Sequence, residues 1–232
     1  MSRVLSIQLP RDELNRNFGG GMPENSLILI EGKDGSGKSI LSQRIAYGLL
    51  EHGHTITYIS SELNLRGFVE QMDSLNYHIT EKILDEKVIF IPIFPQIGNV
   101  KLKKTFMNDL LRNKKVFQSD VIIFDTLSFL LVNDDVTKEN SFELVSFIKK
   151  LNAMSKTIIF CVNHEQLNPT FLSILRSVVD VYLQTEARMV LGNLLRIITV
   201  IRFNKCAGEV ITATPFKVIP GQGFALELAS LS

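Results

Sequence analysis

The chain has 232 residues, 45% hydrophobic and 21% charged, so it carries enough apolar side chains to bury one sizeable core and is neither disordered nor fibrous. Lys and Arg total 25 against 24 Asp and Glu, a formal +1, so no bulk positive field draws the protein onto nucleic acid or acidic lipid. Cys161 and Cys206 lack metal-ligand spacing and read as unpaired thiols of a reducing compartment, the opening MSRVLSIQLPRDEL has no apolar leader core, and the longest apolar run (121–132) is short and carries an acid, so a cytoplasmic location is expected, peripheral to a membrane at most.

Along the chain, short apolar runs alternate with stretches of helical period. Strands are predicted at 26–32, 55–61, 88–94, 120–126, 156–163 and 178–184, and helices at 37–52, 65–75, 101–117 and 139–154. The third helix puts Leu102, Phe106, Leu110 and Phe117 on one side and lysines on the other. This alternation is the βαβ signature of a parallel sheet covered on both faces. Beyond residue 178 come the runs NLLRIITVIRF and EVITATPFKVI, with turn signals at Gly192-Asn193, Gly208 and Pro220-Gly221. They read as antiparallel strands added to one edge. No Pro/Gly/Ser-rich linker interrupts the sequence, so one α/β domain is expected over 1–232, mainly a parallel sheet flanked by helices with C-terminal antiparallel strands.

Residues 32–39 read GKDGSGKS, a full G-x-x-x-x-G-K-[ST] match, between the strand SLILIE and the helix GKSILSQRIAYGLL. In that setting backbone N–H groups of the loop, with the positive end of the helix, converge on a phosphate chain. Lys38 is then the charge on the β- and γ-phosphates, and Ser39 the hydroxyl on a bridging Mg²⁺. The nucleotide-binding candidates are Gly32, Asp34, Gly35, Ser36, Gly37, Lys38, Ser39 and Ile40. Asp125 ends the apolar strand VIIFD, at the end that faces the ligand crevice of an open α/β sheet, and can hold Mg²⁺ through water. The competing reading is a capping aspartate at a strand–loop junction. Glu62 closes TITYISSE and can orient an attacking water if its strand is a neighbour; an acid near the N-cap of the helix at Leu65 is the alternative. His52 and His54 flank Gly53 at the end of the first helix, where cations suit the dipole and glycine the left-handed cap. Lys101, Lys103, Lys104, Arg112, Lys114 and Lys115 make a basic face, read as solvated and alternatively as a docking face.

The run DELNRNFGGGMPENSLILIEGKDGSGKS, the SSEL at 60–63 and the VIIFDTLS at 121–128 resemble RecA-fold ATPases of the KaiC-like branch. Within that branch the chain is most similar to the accessory ATPases of the archaeal flagellum, or archaellum, from the GGGMP run to the closing VIPGQGF. The resemblance implies a RecA-like fold and an ATP and magnesium site with Lys38 and Ser39 on phosphate and metal. It implies Asp125 as the Walker B acid and Glu62 in the water-activating position. It places His164, after KTIIFCVN, where the RecA fold keeps a polar γ-phosphate sensor; a surface loop histidine is the alternative. Relatives use a Lys-x-Arg pair on a late strand to reach the neighbouring subunit's phosphates, and here the matching place reads Arg202, Phe203, Asn204, Lys205. With that pair incomplete, Arg202 and Lys205 are the trans-acting candidates and slow hydrolysis is expected. The resemblance further implies a hexameric ring that partners the archaellum motor ATPase beneath the membrane platform.

A DNA recombinase of the RecA/RadA type and a self-sufficient ATP-driven enzyme are the alternatives, and fold alone cannot choose between the three. The segments that would grip DNA read NDDVTKEN and HEQLNPT. The first sets Asp134, Asp135 and Glu139 against Lys138, and the second has no lysine or arginine, so no nucleic-acid partner is expected.

Overall fold

Six apolar runs stack side by side as the parallel centre of a nine-stranded sheet. The computed structural model describes residues 3–93, 112–127, 146–151, 153–190, 192–219 and 221–227. Among them, β1 (Val4–Leu5) and β2 (Met22–Pro23) pair separately and frame a short helix, α1 (Leu14–Asn17). The main sheet begins with β3 (Leu27–Gly32), followed by α2 (Lys38–Glu51), β4 (Ile56–Ser60), α3 (Leu65–Ser74), α4 (Thr80–Leu84) and β5 (Val88–Pro92). A 3₁₀ turn at Lys114–Phe117 leads into β6 (Val121–Asp125), then β7 (Thr157–Val162), α5 (Pro169–Val178), β8 (Val181–Val190), β9 (Asn193–Phe203), β10 (Ala213–Ile219) and β11 (Gly223–Leu226). The strand order is β11-β10-β9-β8-β3-β7-β6-β4-β5, with β8 to β5 parallel and β9, β10 and β11 antiparallel additions at the β8 edge.

Two-residue alternation sorts each central strand's side chains to opposite faces. Ile28 and Ile30 join Leu41, Ile45 and Leu49 of α2 in one core, while Leu27 and Leu29 join Phe171, Leu172 and Leu175 of α5 in the other. Both faces are covered, which is why these strands are almost wholly apolar. No helix among the described residues is long and apolar enough to cross a membrane.

The strands and first two long helices lie close to their expected positions, and the antiparallel additions fall at one edge as the turn signals indicate. Three helices depart from expectation, the short α1 and α4 and the longer α5. Sequence pattern predicts no helix over 169–178 and starts a strand at 178; α5 occupies that stretch and β8 starts at Val181. Its signals are present: Asn168 caps it, accepting from the Thr170 N–H at 2.8 Å, and Pro169 sits in the first turn. The run of β-branched residues after Arg176 outweighs them in a local reading. The helices expected at 101–117 and 139–154 fall largely outside the described residues, as do Lys101, Lys103, Lys104 and NDDVTKEN; residues 146–151 are helical.

Candidate functional site

β3 delivers the chain into the 32–39 loop, and the loop feeds α2 directly. Gly37 adopts φ 98°, and a Cβ there would lie 2.7 Å from Arg196 Cδ and from Phe216 Cζ. Only glycine satisfies both the left-handed backbone and that contact. Gly32 is equally confined, by Ser36 and Thr185. The Ser36 and Thr185 hydroxyls lie 2.8 Å apart, tying the loop to β8. Lys38 is 5% exposed, and its Nζ donates to the Lys33 carbonyl at 2.8 Å and lies 3.8 Å from Asp34 Oδ1. Asp34 in turn accepts from Asn163 Nδ2 at 2.8 Å.

The residue before the loop is pinned as well. Glu31, buried, receives Arg176 Nε at 2.8 Å, Arg176 Nη2 at 2.5 Å and the Tyr182 hydroxyl at 2.7 Å. The unpredicted α5 thus anchors the strand that presents the 32–39 loop.

Pairing of β4 with β6 sets Ser60 opposite Asp125 and so brings their following residues together. Ser39 Oγ donates to Asp125 Oδ1 at 3.0 Å, and the Tyr58 hydroxyl donates to Oδ2 at 2.7 Å. Burial pushes the Asp125 carboxyl up from its ordinary value; the Tyr58 hydrogen bond opposes this, and the charge of Glu62 adds to it. The same burial, with Asp125 beside it, raises the Tyr58 phenol, which remains a donor. Thr126 Oγ1 donates to Glu62 Oε1 at 3.0 Å, so the two acids share one threonine-bridged corner. The N-cap of α3 is Asn64, which accepts from the Gly67 N–H at 2.7 Å.

An open cleft of about 420 Å³ collects Asp34, Gly35, Gly37, Lys38, Ser39, Ile40 and Glu62, with Asp125 behind Ser39. It also takes in Gln71, Gln166 and Arg196, which the sequence reading does not single out. Tyr58 and Thr126 escape it too. Their signal is a hydroxyl side chain on or just after an otherwise apolar strand, beside a candidate acid.

His164 is not on the cleft lining; its Nδ1 lies 3.5 Å from Glu31 Oε1. Its neighbour Glu165 pairs with Lys33 of the loop at 2.6 Å. Arg202 and Lys205 lie toward the other end of the sheet. β8 sets Thr185 beside Gly32 at the phosphate end, whereas Arg202 stands opposite Tyr182. Arg202 Nη1 donates to the carbonyls of Arg176 (2.8 Å) and Val179 (2.9 Å), and Lys205 pairs with Asp180 at 3.0 Å.

The family model for the KaiC ATPase matches residues 12–223. The archaeal flagellar ATP-binding protein FlaH of Methanocaldococcus jannaschii is 37% identical over 226 residues, 97% of each chain. This chain belongs to the FlaH group of the KaiC ATPase family. FlaH of Methanococcus voltae is 36% identical over 230 residues, 99% of this chain and 100% of that one. The crystal structure of the flagellar accessory protein FlaH from M. jannaschii superposes with a TM-score of 0.90 at 36% identity, covering 98% of this chain and all of that one. The family's RecA/KaiC-like fold is thus the fold described above.

The donor set of the cleft suits magnesium. Mg²⁺ prefers hard oxygen ligands, keeps several waters and takes one or two carboxylates beside substrate phosphates. Ser39 Oγ and the Asp125 carboxylate, 3.0 Å apart beside the phosphate loop, are such a pair.

Proposed function

We propose that this chain is the Mg-ATP-binding subunit of an archaellum motor complex, whose nucleotide state governs its assembly. The observation that carries the reading is that one cleft gathers Lys38, Ser39 with Asp125 behind it, and Glu62, in a chain of the FlaH group. Loop N–H groups and Lys38 hold the phosphate chain, Lys38 exchanging the Lys33 carbonyl for phosphate oxygens. Ser39 and Asp125 are the residues that would hold magnesium, which would supply positive charge against the phosphate chain. Glu62 Oε1, oriented by Thr126, accepts a proton from an attacking water. His164 is assigned the γ-phosphate sensor by the family resemblance, and it would have to leave Glu31 Oε1 to reach the cleft.

Slow hydrolysis fits the cations. Arg202 and Lys205 would have to release their present carbonyl and carboxylate partners before reaching a neighbouring subunit. Trans arginines contribute on the order of 10³–10⁵ to turnover, so their restraint favours binding over cutting. The relatives' flagellar role points to the archaellum motor ATPase and membrane platform as partners, with a hexameric ring on the cytoplasmic side. ATP shifts such an assembly only by binding the assembled state more tightly, and a tenfold preference is worth about 1.4 kcal/mol per site.

Purified protein is expected to turn over ATP far below the roughly 10 s⁻¹ enzyme median. Single-turnover assays should show Glu62→Gln slowing it by about 100-fold while ATP affinity stays unchanged. A steady-state rate near that median, or one indifferent to Glu62, would overturn the roles assigned here. Sizing and pull-down with the purified motor ATPase should show ATP-dependent association that Lys38→Ala abolishes. Equal association of both proteins with and without ATP would leave a passive scaffold.

A further inference from the structure

We propose that the exposed tip of the β8–β9 hairpin docks, head to tail, into a cavity beside the β9–β10 connection of a second copy of this chain. The proposal rests on the reading of the chain as a ring subunit and names the surface through which neighbours meet.

The hairpin outruns its sheet. β3 accompanies β8 only as far as Gly32 beside Thr185, and β10 accompanies β9 only as far as Phe216 opposite Arg196. Beyond those pairs the two arms hold only each other, and residues 186–190 are all exposed. Met189 stands directly opposite Leu194, so the two side chains share one face as an apolar knob, 68% and 45% exposed. Val190 is exposed on the other face, beyond the Arg188–Glu186 pair. Apolar side chains gathered in water on a projecting element mark a contact surface.

A matching socket lies at the opposite end of the same strands. An open cavity of about 570 Å³ is lined there by Gly19, Gly20, Ala207 and Ile211, together with Arg16 and Glu209. The Val200 N–H donates to the Thr212 carbonyl at 2.7 Å, so Ile201 and Ile211 follow on adjoining segments. Tyr182 faces Arg202 and Leu183 faces Val200, which makes Ile201 the extra residue of a bulge that turns it out to solvent. Val178, just before β8, is exposed as well. Among the described residues, all the exposed large apolar side chains except Leu65 and Leu84 thus lie at these two ends.

Charge and direction select a second copy as the occupant. Each end carries an acid and a base, Glu186 and Arg188 at the tip, Glu209 and Arg16 at the socket. Among the described residues Glu209 has no ion-pair partner, Arg16 reaches Glu13 at 3.8 Å, and Arg188 holds its near neighbour Glu186 in the open. Exposed pairs of this kind are worth little and exchange readily. On docking, Arg188 meets Glu209 and Glu186 meets Arg16. Two different surfaces at opposite ends of one chain make a heterologous contact, which closes into a ring when the rotation allows. The same stacking turns Arg202 and Lys205, at the socket end, toward the neighbour's phosphate end.

Sedimentation of the full chain with Mg-ATP measures the contact. Met189→Asp and Leu194→Asp are expected to raise the self-association Kd about tenfold, while Mg-ATP affinity and the thermal melt stay those of wild type. Arg188→Glu and Glu209→Arg should each weaken association, and together restore it to within about threefold of wild type. For proximity, a short bismaleimide is added to an equal mixture of wild type, whose exposed thiol is Cys206, and Met189→Cys/Cys206→Ser. Mass spectrometry is expected to find links between positions 189 and 206 in excess over links between like positions. Links between like positions alone would overturn the docking. Wild-type association by both aspartate variants would overturn it and leave the ring standing. Unchanged self-association with lost binding to the motor ATPase would assign the tip to that protein, also overturning the proposal. A wild type that stays monomeric at every concentration would remove both the ring and its surface. Should an aspartate variant not fold, the charge pair and the cross-link decide alone.

Discussion

Lys38→Ala is expected to weaken Mg-ATP binding at least tenfold, about 1.4 kcal/mol. The magnitude is a floor set by the site. The ammonium is almost fully buried and lies at the start of α2, where loop N–H groups and the helix dipole already favour an anion. A hydrogen bond to a charged group is worth roughly 1.5–3 kcal/mol, and Lys38 can offer more than one to the β- and γ-phosphates. Before ATP arrives, its Nζ is held by the Lys33 carbonyl, a neutral acceptor that competes weakly with phosphate. Lys38→Arg should not restore affinity, because a planar fork does not fit where a compact point charge sits. Calorimetric titration of the folded variant checks this, and unchanged affinity would sink the assignment of the loop.

The second large effect concerns stability. Arg44, in the middle of α2, is fully buried; its Nε and Nη2 each donate to Asp12 at 2.7 Å, and its Nη1 donates to the Ile7 carbonyl at 2.9 Å. These bonds clasp the segment before β2 onto the helix that leaves the phosphate loop. Gly48, one turn on, admits the Ile7 backbone: a Cβ there would lie 2.5 Å from its carbonyl oxygen. Arg44→Ala leaves the Asp12 carboxylate buried without its counter-charge, which costs about 3–5 kcal/mol. At about 2–4 °C per kcal/mol for a chain of this size, the melting temperature should fall by roughly 6–20 °C. The paired replacement Asp12→Leu with Arg44→Leu should recover much of that loss, since no charge is then left buried. Denaturant and thermal unfolding of the single and double variants measure it. A double variant as unstable as the single one would show that packing, and not charge, holds this segment.

The proposed phosphate site is the part of this protein that its sequence states on its own. The loop needs a contiguous set of residues, glycines where the backbone must turn left or approach closely and a lysine and serine at its end, so 32–39 could be read without knowing what surrounds it. Asp125 was legible for a similar reason, as an acid closing a strand whose five residues are all buried. The central strands, too, declared themselves, because burial on both faces leaves near-continuous apolar runs. The other wall of the cleft follows a different logic. Glu62 and its partner Thr126 stand 64 positions apart in the chain and meet beside Asp125 only because β4 pairs with β6, a pairing that no local pattern encodes. Arg196 reaches the loop only through two successive strand registers, from β3 to β8 and from β8 to β9, and in the sequence it is one cation in an apolar strand. Arg202, the more conspicuous cation on that strand, is turned by the same registers toward the far end of the sheet and the carbonyls of Arg176 and Val179. Local chemistry therefore named the ligand class, while strand order and register, which arise from burying a whole sheet at once, decided which distant side chains stand around it.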